Sequence, residues 1–171
     1  MTPPPFWKTK SLAQMTPREW ESLCDGCGIC CLEKLQDVDS GWVGFTAVAC
    51  RYLDTDSCRC RIYTERHRRN PNCISISAEN VADLTWLPES CAYRRLAEGK
   101  QLMSWHPLVS KDDESVHNCG ISVRGRVISA RYVHLQDLEA YRIDIKKDEN
   151  MDRRDRSVPE PTSGSSENMG D

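Results

Sequence analysis

The chain has 171 residues and lacks the usual signatures of several function classes. No apolar run approaches the roughly 20 residues of a membrane span, and the N-terminus, Met1-Thr2-Pro3-Pro4-Pro5-Phe6-Trp7-Lys8, has no apolar core of a signal peptide. Positive charge is not in excess. The 23 Lys and Arg residues face 26 Asp and Glu residues, a formal net charge of −3. That balance argues against a nucleic-acid or membrane partner held by bulk charge, although a local basic run lies at Arg59–Arg69. No Ser/His/Asp set, phosphate loop or acid pair is apparent, so no catalytic set and no substrate can be named. These absences lead to the expectation of a cytoplasmic protein.

Cysteine, in contrast, is abundant. Four fall within eight residues, Cys24-Asp25-Gly26-Cys27-Gly28-Ile29-Cys30-Cys31, in the pattern C-x2-C-x2-C-C. Six more follow: Cys50, Cys58, Cys60, Cys73, Cys91 and Cys119. Gly26 and Gly28 allow tight backbone turns at positive φ. Short x2 spacings then let several sulfurs approach one point, the local grammar of thiolate ligation to zinc or to an iron–sulfur cluster. In a reducing cytoplasm, thiols at this density read as metal ligands rather than disulfides or buried apolar residues. Cys58-Arg59-Cys60 is too tight for a relaxed disulfide in most backbones and is read as ligation.

Local signals predict short elements. Thr16, Pro17 and Glu19 form a capping box with proline at the first helical position, and Met15 and Trp20 occupy the staple positions, so a helix is expected over 17–23, delivering Cys24 to the metal. Residues 1–10 read as an extended arm pinned by Phe6 and Trp7. A helical turn is expected from Cys30 through Lys34. Residues 35–50 read as a β-hairpin turning at Asp39-Ser40-Gly41. Further helices are expected over 61–69, over 78–84, after Ser90 with Gly99 as its stop, from Ser110 to about His117, and over 133–143. Residues 121–124 and 127–128 read as strand. His106 and His117 read as loop histidines and not as ligands, and Asp54 and Asp56 as solvated loop acids. From Asp144 charge dominates, and Pro, Ser and Gly then take over. The expected organisation is a metal-binding domain at 1–143 and a disordered tail at 144–171.

The chain resembles the bacterial YcgN/YkgJ-type cysteine-cluster proteins, described as a zinc- or iron-chelating domain. The resemblance covers about residues 5–130. It is carried by Pro5-Phe6-Trp7, Glu21-Ser22-Leu23-Cys24-Asp25-Gly26-Cys27-Gly28, Cys30-Cys31, Val48-Ala49-Cys50-Arg51 and Cys58-Arg59-Cys60. It continues through Asp83-Leu84-Thr85-Trp86-Leu87-Pro88, Cys91-Ala92-Tyr93-Arg94, Trp105-His106-Pro107-Leu108 and Ile121-Ser122-Val123-Arg124. The broad family pattern falls on Cys24, Cys27, Cys30, Cys31, Cys50, Cys60 with Tyr63, and Cys73 after Pro71. Cys58 and Cys91 belong to the narrower group, and Cys119 stands outside the pattern.

The candidate metal ligands are therefore Cys24, Cys27, Cys30, Cys31, Cys50, Cys58, Cys60, Cys73 and Cys91. A thiolate site usually takes about four. Cys24, Cys27 and Cys30 are expected to share one site, completed by a cysteine from the Cys50–Cys73 region, while Cys31, which cannot easily share a centre with Cys30 on a regular helix, serves a different site or packs in the core. The expected fold is a small, irregular α+β domain of short helices and a hairpin around that centre. Three roles stay open: a zinc- or iron-binding protein, an iron–sulfur enzyme or redox protein, and a thiol-based sensor.

Overall fold

A computed structural model describes residues 3–145. The architecture is α+β, with several short helices around a small mixed sheet. Strand β1 (Leu32–Gln36) pairs antiparallel with β2 (Val43–Ala49), Lys34 opposite Phe45 and Gln36 opposite Val43. The turn between them is held by Asp37, whose Oδ1 accepts from the backbone N–H of Ser40 at 2.7 Å. The other edge of β2 takes β3 (Ile128–Ser129) in parallel and β4 (Arg142–Ile143) antiparallel.

The helices are α1 (Phe6–Thr9), α2 (Pro17–Ser22), α3 (Arg66–Arg69), α4 (Ala92–Ala97), α5 (Pro107–Ser110) and α6 (Ser115–Asn118). Helix α2 starts as its sequence dictates. Thr16 accepts from the Glu19 N–H, and the Glu19 carboxylate accepts from the Thr16 N–H at 2.8 Å. Among the described residues no helix is long and apolar enough to cross a membrane.

Several elements differ from expectation. Phe6–Thr9 is a helical turn and not an extended arm. The chain leaves Cys31 directly as strand β1, so the helical turn stops at a 3₁₀ segment, Ile29–Cys31. Residues 78–84 make successive turns instead of a helix, and 121–124 make no strand. Residues 135–141 are 3₁₀, followed by β4. The expected tail falls outside the described residues, except for Asp144 and Ile145. Ile145 packs against the core.

Two apolar clusters form the interior. One lies against the sheet, with Leu32, Phe45, Leu53, Trp105, Val116 and Val123. The other gathers Leu23, Val81, Leu87, Ala92, Tyr93 and Leu102 among the helices. Trp86 packs against both. Burying one such side chain stabilises by about 1.5–3 kcal/mol. The cysteine-rich loop runs along the seam: Cys27 lies in the sheet-side cluster, while Cys30 packs against the helix-side one.

Candidate metal centre

Helix α2 ends at Leu23, and residues 24–31 turn twice before β1 begins. Gly26 and Gly28, both at φ +77, make the two turns. The close approach at Gly28 also requires glycine, since a Cβ there would lie 2.7 Å from Val123 Cγ2. Asp25 braces the first turn by accepting the Cys27 N–H at 2.9 Å. The Cys27 carbonyl accepts from Val123 N at 2.8 Å, which ties the loop to the distant 121–124 segment.

Around this loop the thiols fall into two groups. In the first, Cys24, Cys27 and Cys30 interact electrostatically with one another, and Asp25 acts on all three. Cys91, preceding α4, stands within range of Cys30 and Asp25 as well. The second group centres on Cys31, which stands within electrostatic range of Cys50 and Cys73, while Cys73 is also within range of Cys30. Backbone and side-chain hydrogen bonds hold it together. Cys50 N donates to the Cys31 carbonyl at 2.8 Å, Asn70 Nδ2 donates to Cys50 Sγ at 3.7 Å, and Cys73 N donates to the Asn70 carbonyl at 2.9 Å. Cys60, fixed by its bridge with Leu53, stands within range of Cys73.

Cys30 and Cys31 join the two groups. Their thiols share a hydrogen bond that favours the thiolate at Cys30 and the protonated thiol at Cys31. Lys34 lies alongside, its Nζ donating to the carbonyls of Cys30 at 2.7 Å and Leu32 at 2.8 Å, over the Trp86 ring. Burial lowers the pKa of Lys34. Desolvation, reinforced by the Asp25 carboxylate, raises the Cys24 thiol to about 12, although that residue reaches the surface. Burial raises Cys27 as well, and raises Cys91 to about 12.

One sequence candidate, Cys58, lies apart from both groups, and so does Cys119, which the sequence already set outside the pattern. Cys58, at φ +54, is buried facing Ser122 and the Val123–Arg124 backbone. Cys119 packs against the sheet-side cluster. His106 is 1% exposed with both nitrogens engaged: Nε2 lies 3.0 Å from the Leu23 carbonyl, and Nδ1 accepts from Leu108 N at 3.1 Å. It is a neutral, structural imidazole. Asp54 caps its own loop and pairs with Arg61 at 3.0 Å.

Sequence reasoning missed Asp25 and Lys34; Arg59, which the sequence places between two cysteines as a charge able to lower a thiol pKa, has its guanidinium 3.0 Å from where a Gly26 Cβ would stand. A signal existed only for Asp25, since an aspartate two residues before a cysteine amide can close a turn.

None of the ten cysteines forms a disulfide. Among the described residues, no three His, Cys, Asp or Glu side chains are gathered closely enough to hold a metal ion. The sulfurs are grouped and not converged. A cysteine sulfur changes position by rotation between staggered wells with the backbone fixed. By donor chemistry, soft thiolates with one carboxylate, the set fits zinc or iron.

Residues 23–92 match a family model described as "Putative zinc- or iron-chelating domain". A UPF0260 protein of Rhizobium etli (strain CIAT 652) is 55% identical over 140 residues, covering 82% of this chain and 89% of that protein. This chain belongs to the UPF0260 family. Another member, from Allorhizobium ampelinum, is 54% identical over 84% of this chain and 91% of its own length, and one from Rhodopseudomonas palustris (strain HaA2) is 56% identical over 78% and 79%. No solved structure matches the chain. The family match spans eight of the nine cysteines before Cys119 within its interior and reaches Cys91 at its end.

Proposed function

We propose that this UPF0260 protein chelates zinc or iron through thiolates at two adjacent groups of cysteines. Cys24, Cys27 and Cys30 hold the first ion, with a fourth donor from Asp25 or Cys91. Cys31, Cys50, Cys60 and Cys73 hold the second. The observation that carries this reading is the grouping of thiols from four separated places, Cys50, Cys60, Cys73 and Cys91, around one doubly turned loop. Four thiolate donors satisfy a zinc or iron–sulfur site. Unbridged thiols at this density require a reducing setting, which the cytoplasm provides.

A bound ion would offset the desolvation of the thiolates and link loop, hairpin and α4. The chain's own residues orient the donors: Asp25 and the two glycines shape the loop, Asn70 aims Cys50, and Lys34 supplies positive charge beside Cys30 and Cys31.

Anaerobic purification with elemental analysis and an absorption spectrum tests the reading. The expected result is bound zinc or iron, reduced by the first group's share in a Cys24→Ser, Cys27→Ser double variant and unchanged in Cys119→Ser. A metal-free protein, or one with unchanged stoichiometry after both replacements, sinks it. Visible charge-transfer absorption with acid-labile sulfide would identify an iron–sulfur cluster, and its absence with bound zinc a mononuclear thiolate site.

A further inference from the structure

Asp25 is buried, 5% exposed, between two cysteines of the loop. Its Oδ1 is used by the Cys27 amide at 2.9 Å. Its Oδ2 is buried with no hydrogen-bond partner. Leaving a buried carboxylate oxygen unsatisfied costs free energy on the order of 1–3 kcal/mol or more. Two of the chain's cations lie nearby and neither satisfies it: Arg59 lies across Gly26, and Lys34 donates to carbonyls of Cys30 and Leu32. Asp25 acts on Cys24, Cys27, Cys30 and Cys91, and also on the buried His106 and on His117.

We propose that Asp25 Oδ2 is a direct donor to the metal ion bound by Cys24, Cys27 and Cys30. This rests on the thiolate-chelating reading above and decides its open donor. Charge favours the assignment. Four thiolates around a divalent ion leave two negative charges, and an unligated Asp25 beside them would add a third in a buried place, where uncompensated charge is costly. With Asp25 as donor the count stays at two, and Cys91 remains a neutral thiol. Cys91 packs against the helix-side apolar cluster, where a neutral cysteine is at home. The loop also pre-orients Asp25, because the Cys27 amide fixes one oxygen and leaves the other for the ion. An oxygen donor among three sulfurs suits a borderline divalent ion such as zinc or ferrous iron more than cuprous copper.

The test uses the full chain carrying Cys50→Ala and Cys73→Ala, which disable the second group, loaded anaerobically with zinc or cobalt(II). X-ray absorption at the zinc edge should show one oxygen among sulfur scatterers. Asp25→Asn keeps the Oδ1 acceptor and the turn, and should weaken cobalt(II) binding, read by competition with a chelator, at least about tenfold. It should also shift the cobalt(II) d–d bands. An all-sulfur shell, or an Asp25→Asn variant with unchanged affinity and bands, overturns the assignment and leaves the chelating reading intact. A background protein that takes up neither metal overturns both. If Asp25→Asn does not fold, the scattering shell of the protein with Asp25 decides alone.

Discussion

His106 shows how single side chains near the loop are committed. Its imidazole is enclosed, and both ring nitrogens serve backbone groups, one of them the Leu23 carbonyl at the entrance to the cysteine loop. Burial lowers its pKa below the ordinary value. The folded state therefore binds fewer protons than the unfolded state once the pH falls below about 6.5. This contribution to stability is fully present above that pH and is lost as the pH drops toward the folded value. Replacing His106 by Gln should cost about 1–3 kcal/mol at pH 8 through the backbone groups it leaves unpaired. That deficit should shrink toward pH 5, measured as urea unfolding of the metal-free protein. A gap constant across the range would show that His106 does not titrate with folding. The sequence made His106 legible as a loop histidine, because a histidine before proline has a restricted local conformation. It could not reveal Asp25 or Lys34, whose significance depends on what the rest of the chain fails to place beside one and does place beside the other.

The elements divide by how local their causes are. Helix α2 was legible because its capping box, proline and staple all lie within six residues. The β1–β2 hairpin was legible for the same reason, through its Asp-Ser-Gly turn and alternating apolar residues. The expected strand at 121–124 does not form because Val123 N is committed to the Cys27 carbonyl, nearly a hundred residues away in sequence. The expected helix over 78–84 gives way to turns, with Asn80 Oδ1 accepting from Ser77 N and its amide donating to the Ser75 carbonyl. Gly28 offers a test at this scale. Gly28→Ala combines left-handed backbone, about 1–2 kcal/mol, with overlap against Val123, about 1–3 kcal/mol more. Gly41 has similar φ, +71, but open space around its Cβ position, so Gly41→Ala should cost only the backbone share. Thermal unfolding should rank Gly28→Ala well below Gly41→Ala. Equal midpoints would mean that the Gly28–Val123 approach is not a constraint.

At the scale of the whole molecule, the question is whether metal makes the fold or tightens it. A zinc finger has almost no core without its ion and unfolds when the ion is removed. This chain differs, because two apolar clusters enclose the loop from both sides and Trp86 packs against each. The loop is also anchored by the protein itself. Val123 N bonds the Cys27 carbonyl, Cys50 N bonds the Cys31 carbonyl, and the Tyr93 hydroxyl donates to the Trp20 carbonyl at 3.0 Å in the helix leading into it. None of these contacts needs an ion. The sulfurs, in contrast, stay unconverged, so binding has to draw them together and would couple the 24–31 loop to the 50–73 region and to Cys91. Chelation of the metal should therefore lower the unfolding midpoint while a single cooperative transition and the far-UV circular dichroism persist. Hydrogen exchange should rise at residues 24–31 and 58–73 and change least at Leu32–Gln36 and Val43–Ala49, where the hairpin has its own ladder. Complete loss of structure on chelation would place this chain with the zinc fingers, and the two apolar clusters would then be too small to hold the fold alone.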